Sequence, residues 1–276
     1  GRSLRRGGCP PPPRYGHTVT CCGPRGDRLV VFGGLRSGGY RGETNDLAVL
    51  EPSGGGGGEM VWTSPETSGL EPQPRGYHSA CCSEDGTRLY VSGGICDGDC
   101  TDSLAVLDLT TMCWDVPATT GAGPPRRFGH TSVVWRNTLF IIGGGNGGDL
   151  LRSGVDLNDV WTLDLSTLKW TEVTRLTADW PSIDLLGRCH SGALVGRKWV
   201  IFGGSLGMGN AVTWLDLDTL AWGGPSIKGR APLKRISAAI ATVITPLGLQ
   251  LVVYGGWSRY HRQQTLGDVH TLQVAH

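Results

Sequence analysis

Apolar residues in this chain come in short runs rather than in a helical period. Five of the runs end in two glycines. They are Leu29-Val30-Val31-Phe32 before Gly33-Gly34, Leu89-Tyr90-Val91-Ser92 before Gly93-Gly94, Leu139-Phe140-Ile141-Ile142 before Gly143-Gly144, Trp199-Val200-Ile201-Phe202 before Gly203-Gly204, and Leu251-Val252-Val253-Tyr254 before Gly255-Gly256. The first glycines follow one another at 60, 50, 60 and 52 residues. A continuous apolar run of this length predicts a strand buried on both faces. A glycine pair at its end permits positive φ and close backbone approach. A period near 50 residues built from short strands predicts stacked β modules, not one monolithic core.

Each copy carries further markers. Upstream stands an arginine turn with a histidine: Arg14-Tyr15-Gly16-His17, Arg75-Gly76-Tyr77-His78, Arg127-Phe128-Gly129-His130 and Arg188-Cys189-His190. The fifth copy, Arg235-Ile236-Ser237, keeps the arginine and loses the histidine. Downstream comes a third strand, begun by Asn45-Asp46, Asp102-Ser103, Asn158-Asp159, Ala211-Val212 and Gly267-Asp268. A tryptophan follows at Trp62, Trp114, Trp170 and Trp222. From third-strand leucine to tryptophan is seven residues in three copies (Leu107, Leu163 and Leu215), against twelve from Leu50. The excess of five matches the run Gly54 to Gly58, an insertion in one hairpin loop that costs little closure entropy. The tryptophan has the flat area to fill a wedge between neighbouring sheets. The best helical pattern, near Thr174 to Asp184, is broken by Pro181.

These residues resemble the kelch repeat, and the resemblance covers the chain from Pro13 to Leu272. It implies an all-β, kelch-type β-propeller with five repeats visible, in blades of about four antiparallel strands. Radial repetition of this kind protects strand edges. The expected layout is a basic, Pro/Gly-rich tail over residues 1–12 and a propeller over 13–276, with repeats at about 13–65, 74–117, 125–173, 186–225 and 232–276. The fifth repeat reaches His276 without its tryptophan strand. Either five blades include a three-stranded last one, or the repeats form part of a six- or seven-bladed ring; the first is preferred. The chain begins without methionine and reads as an excerpt of a longer protein.

Composition narrows the partners. Lys plus Arg number 25 against 24 Asp plus Glu in 276 residues. That balance points away from nucleic acid or an anionic membrane, which need a clustered basic field. No apolar stretch reaches the 18 residues of a membrane helix. Nine cysteines, with Cys21-Cys22 and Cys81-Cys82 at matching repeat positions, read as small apolar strand residues in a reducing, cytoplasmic or nuclear setting. Cys96-Asp97-Gly98-Asp99-Cys100 lacks a second Cys/His pair at zinc spacing and reads as surface turn chemistry.

Candidate site residues fall in two groups. Arg14, Arg75, Arg127, Arg188 and Arg235 recur once per repeat. They either brace the turn against carbonyls or form a guanidinium ring for a carboxylate- or phosphate-bearing partner. The second group lies in the loops after the glycine pairs, which differ most among copies: Arg36, Arg41, Arg152, Trp257, Arg259, Tyr260, His261 and Arg262. Variable loops on a repeated scaffold are where specificity resides. The repeat histidines, one per module, are too dispersed to share a metal and read as structural.

The kelch resemblance implies a non-catalytic interaction module that binds a protein segment, acidic if the arginines read it, through loops on one face. Ubiquitin-ligase substrate receptors and cytoskeletal or ciliary scaffolds are two such settings. The alternative is a kelch-type enzyme: a radical-copper oxidase, an epimerase or an iron-dependent specifier protein. The Glu-x-x-x-Asp-x-x-x-His pattern of the specifiers is absent, and only His261, His270 and His276 lie outside the repeat position. No cofactor or metal is expected.

Overall fold

In a computed structural model the described residues are 8–36, 42–53, 59–147, 154–173, 187–205, 212–246, 248–258 and 264–273. Every regular element among them is a β-strand. The first sheet is the antiparallel meander β1 (Thr18–Cys22), β2 (Arg28–Phe32), β3 (Leu47–Pro52) and β4 (Met60–Thr63), ordered β1-β2-β3-β4. The glycine insertion expected between β3 and β4 lies outside the described residues, but Ser53 N–H donates to Glu59 O (2.8 Å) across its base.

Next come β5 (Ser68–Gly69), β6 (Ser79–Cys82), β7 (Arg88–Ser92), the hairpin β8 (Ile95–Cys96) with β9 (Asp99–Cys100), β10 (Leu104–Asp108) and β11 (Cys113–Asp115). The second sheet runs β5-β11-β10-β7-β6, with β5 added in parallel as an unexpected fifth strand. The third sheet uses β12 (Thr131–Trp135), β13 (Thr138–Ile142), β16 (Val160–Asp164) and β17 (Lys169–Glu172), around the hairpin β14 (Gly145–Asn146) with β15 (Val155–Asp156). The fourth is β18 (Ser191–Val195), β19 (Lys198–Phe202), β20 (Val212–Asp216) and β21 (Trp222–Gly223). The fifth has three strands, β22 (Ala239–Thr245), β23 (Gly248–Tyr254) and β26 (Val269–Gln273), with the hairpin β24 (Trp257–Ser258) and β25 (Gln264–Thr265) between the last two. These are the five expected repeats, the last three-stranded.

The chain forms two compact units, one of residues 1–128, 136–139 and 163–170, the other of 129–135, 140–162 and 171–276. The first has a core of Val30, Phe32, Leu89, Val91, Leu107 and Trp114 with their neighbours. The second centres on Phe140, Ile142, Val160, Ile201 and Leu215. In both, the apolar runs before the glycines supply the bulk, as a strand buried on two faces should. Cys22 and Cys81 are buried, whereas Cys21 is exposed, so the first cysteine pair alternates across its strand.

One turn explains the seven-residue spacing. Leu-Asp-Leu closes β10, β16 and β20 alike, its aspartate being the last residue of each strand, and the aspartate caps the reversal. Asp108 Oδ1 accepts from the N–H of Thr110 and Thr111 (2.9 Å each), Asp164 from Ser166 and Thr167 (2.8 and 3.0 Å), and Asp216 from Asp218 and Thr219 (3.1 Å each). Met112, Leu168 and Leu220 then take φ of 55°, 54° and 60°. The chain returns with its tryptophan beside the leucine: Leu50 faces Trp62, Leu107 faces Trp114, and Leu215 faces Trp222. Trp114 and Trp170 are buried as expected of wedge fillers, while Trp62 and Trp222 are half-buried.

Candidate interaction face

The glycine pairs, the arginine turns and the variable loops gather at the same end of each sheet, because a meander returns its second-to-third connection to the end where the next repeat enters. All ten paired glycines have positive φ, from 59° to 111°. The second glycine then donates its N–H to the arginine turn of the next repeat: Gly34 to Arg75 O (2.8 Å), Gly94 to Arg127 O (2.8 Å) and Gly204 to Arg235 O (3.2 Å). A Cβ on Gly33 would lie 2.8 Å from Arg75 O, so glycine is needed for this approach.

The repeat arginines are turned inward. Arg75, Arg127, Arg188 and Arg235 are buried, and the Arg14 side chain is 4% exposed. Nε of Arg14, Arg75, Arg127 and Arg235 donates to the carbonyl two residues back (2.9–3.2 Å). Nη1 of Arg14, Arg75 and Arg235 donates to the carbonyl of the first glycine of its own pair, Gly33, Gly93 and Gly255 (2.8–3.0 Å). The remaining donors reach the residue that opens the third strand: Asp46 for Arg14 (3.2 Å), Ser103 for Arg75 (2.9 Å) and Asp268 for Arg235. Arg188 instead reaches Asp156 of the preceding repeat (2.8 Å). The guanidinium groups of Arg14, Arg75 and Arg235 therefore tie turn, glycine pair and third strand together. Of the two readings of these arginines, bracing is the one whose bonds are formed.

The ion pairs are electrostatically committed. Hydrogen bonds from Arg235 hold the Asp268 carboxyl well below the usual carboxylate range, against the opposing effect of burial. Burial pushes Asp46 up, but hydrogen bonds from Thr44, Arg36 and Arg14 outweigh it and leave the carboxyl low. Burial lowers Arg75, with Cys96 acting against it.

The histidines join neighbouring repeats. His78 Nε2 lies 3.0 Å from Thr18 Oγ1, and His190 Nε2 lies 3.0 Å from Thr131 Oγ1. Burial, then Arg75 and His17, push His78 down to about 3, so it is neutral at pH 7. His17 is exposed. Among the described residues no group of three or more His, Cys, Asp or Glu converges as metal ligands.

The loops stand on this frame and differ. Leu35 bridges both Tyr15 and Glu43 in the first repeat, and β8–β9, β14–β15 and β24–β25 are short hairpins in the second, third and fifth. Arg36 is half-exposed and paired with Asp46. Trp257 is partly buried and bridges Ile236. Asp97, Gly98 and Asp99 form the exposed tip of β8–β9, and Cys96 and Cys100 beside it are free thiols. Arg41, Arg152, Arg259, Tyr260, His261 and Arg262 lie outside the described residues. The sequence reading missed the acidic partners of the braces, although Asp46 and Asp268 open their third strands where an arginine 32 or 33 residues upstream needs a carboxylate.

Comparison with known proteins follows the same layout. A model of the KLHDC2/KLHL20/DRC7 Kelch-repeats domain matches residues 2–184, and a model of the Attractin/LZTR1 beta-propeller matches residues 98–273. The chain is 33% identical over 289 aligned residues to putative adagio-like protein 2 of Oryza sativa subsp. japonica, covering 96% of this chain and 41% of that one. It is 32% identical to human host cell factor 1 over 237 residues, covering 71% and 11%. It is 36% identical to acyl-CoA-binding domain-containing protein 4 of Arabidopsis thaliana over 170 residues, covering 62% and 23%. The chain thus spans less than half the length of each of these relatives.

Proposed function

We propose, from the premise that this chain belongs to the kelch-repeat β-propeller family, that it is a non-catalytic module holding a partner polypeptide against the loops that follow the glycine pairs. One observation carries this reading. The arginines, glycines and histidines repeat a common set of internal bonds from sheet to sheet, while the segments they support share neither length nor composition. A frame held constant beneath variable exposed loops is the arrangement of a recognition surface. The loops mix Arg, Asp, Tyr, Trp and Met, which suits a polypeptide. Arg36 among the described residues, and Arg41, Arg152, Arg259 and Arg262 by sequence, favour an acidic segment. Substrate recruitment to a ubiquitin ligase and scaffolding of a cytoskeletal or ciliary assembly are the two roles such a module would serve. Nine free thiols, three of them buried, suit a reducing compartment, the cytoplasm or nucleus.

The test is partner capture by proximity labelling, compared between the native chain and loop variants. Asp97→Lys with Asp99→Lys, and Arg259→Glu with Arg262→Glu, should each remove a subset of labelled partners and leave the melting temperature unchanged. Substitutions of Thr110 and Thr167, in the turns at the other end of the sheets, should remove none. Capture that ignores every loop variant, or stoichiometric iron or copper accompanied by turnover, would overturn the reading.

A further inference from the structure

Two cysteines from neighbouring sheets meet at one core. β1 and β6 are the first strands of the first and second sheets, and they run side by side. Thr18 Oγ1 stands 3.0 Å from His78 Nε2, and Thr20 Oγ1 donates to Ala80 O (3.4 Å). Each of these pairs is separated by 60 residues in the chain. Side chains on one face of a strand recur every second residue, so the next step brings Cys22 to Cys82. Just beyond, Gly23 N–H donates to Gly86 O (3.0 Å), so the strands are still together past that point.

The cross-strand partners place the two thiols on facing surfaces. In the first sheet Thr20 pairs with Val30 and Thr18 with Phe32, so both apolar residues share the face of Cys22. In the second Cys82 pairs with Leu89 and Ala80 with Val91, which share the face of Cys82. Val30, Phe32, Leu89 and Val91 belong to one core, with Cys22 inside it and Cys82 packed against it. Cys21 and Cys81 are one residue out of step and lie on the opposite faces of their strands. Cys21 donates to Gly26 O of its own turn (3.1 Å). Four cysteines thus yield one facing pair. Cys22 is 1% exposed, whereas Cys82 is partly exposed and can be reached from solvent.

We propose that Cys22 and Cys82 form a peroxide-reactive dithiol, a modification site at which a hydroperoxide is reduced and a disulfide closes between the first and second sheets. The Cys82 thiolate attacks one peroxide oxygen. An S–O bond forms, the O–O bond breaks, and hydroxide leaves, so Cys82 becomes a sulfenic acid. The Cys22 sulfur then attacks the Cys82 sulfur. The S–S bond forms, the S–O bond breaks, and the departing hydroxide takes the Cys22 proton as water. In sum, two thiols are oxidised to a disulfide and hydrogen peroxide is reduced to two waters. The roles of the two sulfurs follow from their surroundings. A hydrogen bond from Cys22 holds the Cys82 thiol below its ordinary pKa against burial and Asp85, with Gly23 N–H and Ser83 adding to it. The same bond, with burial, pushes Cys22 up. An accessible, low-pKa thiol beside a resolving cysteine is the arrangement of a reversible redox site. In a reducing compartment the bond is transient and reopened by thiol exchange. Cys22 ends β1, at the end of the sheet away from the glycine pairs, so this site is independent of the loop-face reading.

The test uses the intact 276-residue chain, reduced with a phosphine, freed of it and exposed to hydrogen peroxide. Remaining thiols are blocked with N-ethylmaleimide, and tryptic peptides are mapped without reduction. Peptide 15–25 should appear joined to peptide 76–88, and dithiothreitol should separate them. Each peptide holds two cysteines, so single variants assign the bond. Cys22→Ala and Cys82→Ala should each lose the linked species, while Cys21→Ala and Cys81→Ala should keep it. In Cys22→Ala the sulfenic acid has no resolving thiol, and dimedone should label peptide 76–88 more heavily than in the native chain. If Cys22→Ala fails to fold by circular dichroism, the partly exposed Cys82→Ala decides alone, read against Cys81→Ala. A linked species that survives Cys82→Ala, a bond that requires Cys21 or Cys81, or peroxide that oxidises the exposed Cys9 and Cys113 while the pair stays reduced would each overturn the inference.

Discussion

Arg235 grips Asp268 with both ends of its guanidinium: Nη1 lies 2.6 Å from Oδ1 and Nη2 2.9 Å from Oδ2. The same arginine donates to Gly255 O at 2.8 Å and to Leu233 O at 2.9 Å. Its side chain is 0% exposed, against 38% for Asp268. Four acceptors from three segments therefore depend on one buried cation. Arg235→Met should leave them unsatisfied and cost about 3 kcal/mol, the lower end for breaking a buried pair, because Asp268 retains water. Arg235→Lys keeps the charge but not the planar fork and should recover only part of that. Urea denaturation of the three proteins measures it. Equal stability of the Met variant and the native chain would remove the brace from the account.

The tryptophan rung makes a second claim about stability. Trp114 is 3% exposed and packs on Phe32, so Trp114→Ala empties a wedge that backbone shifts cannot close. A loss of about 3–5 kcal/mol follows from deletion of a large buried aromatic. Trp62, half-buried in the corresponding rung, should cost visibly less. Thermal melts of the two variants compare them directly, and a larger loss for Trp62→Ala would contradict the wedge reading.

Much of this was legible before any coordinates. The five apolar runs gave the middle strands, because a strand covered on both faces cannot hide its composition. The seven residues from Leu107 to Trp114 gave the outer rung, because a tight turn fixes register. What escaped was long-range polar pairing. Arg14 and Asp46 are 32 residues apart, and nothing local says that the arginine faces inward. Arg188 is harder still, since its acid, Asp156, sits in the hairpin of the preceding repeat. β5 was also invisible: two exposed residues, Ser68 and Gly69, carry no periodic signal. The binding surface was legible only as variation among loops, which locates a face without ranking its residues.

Acid should loosen the protein in a defined window. His78 is buried and neutral, with its pKa pushed down to about 3 from an ordinary 6.5. Below about pH 6.5 the unfolded chain takes up this proton and the folded chain does not, so stability falls as pH drops from 6.5 toward 3. One such group gives a slope of up to about 1.4 kcal/mol per pH unit. Asp46 and Asp268, both held low in the fold, lose their stabilising contribution at the acid end of the same range. Urea midpoints at pH 7, 6 and 5 should therefore decline. His78→Gln, which keeps a hydrogen-bonding side chain for Thr18 without a titrating ring, should flatten the slope between pH 6.5 and 5. An unchanged slope in that variant would place the acid sensitivity elsewhere.

Two glycines with the same backbone sign separate conformational strain from collision. Gly34 has φ of 96° and Gly98 has φ of 85°, so alanine at either must adopt a left-handed conformation costing about 1–2 kcal/mol. At Gly98, on the tip of β8–β9, the added Cβ meets nothing within 4 Å, and strain is the whole cost. At Gly34 the Cβ would also stand 2.7 Å from His17 Cβ and 2.9 Å from Tyr15 O, whose bond to Leu35 N–H (2.8 Å) fixes it in place. Backbone cannot yield there without loosening the turn that carries Arg14. Gly34→Ala should thus be the more damaging by at least about 2 kcal/mol, since it adds overpacking to strain. Melting temperatures of the two single variants test this. Equal losses would mean that the glycine pair serves backbone freedom alone, and not the close passage of one repeat over its own arginine turn.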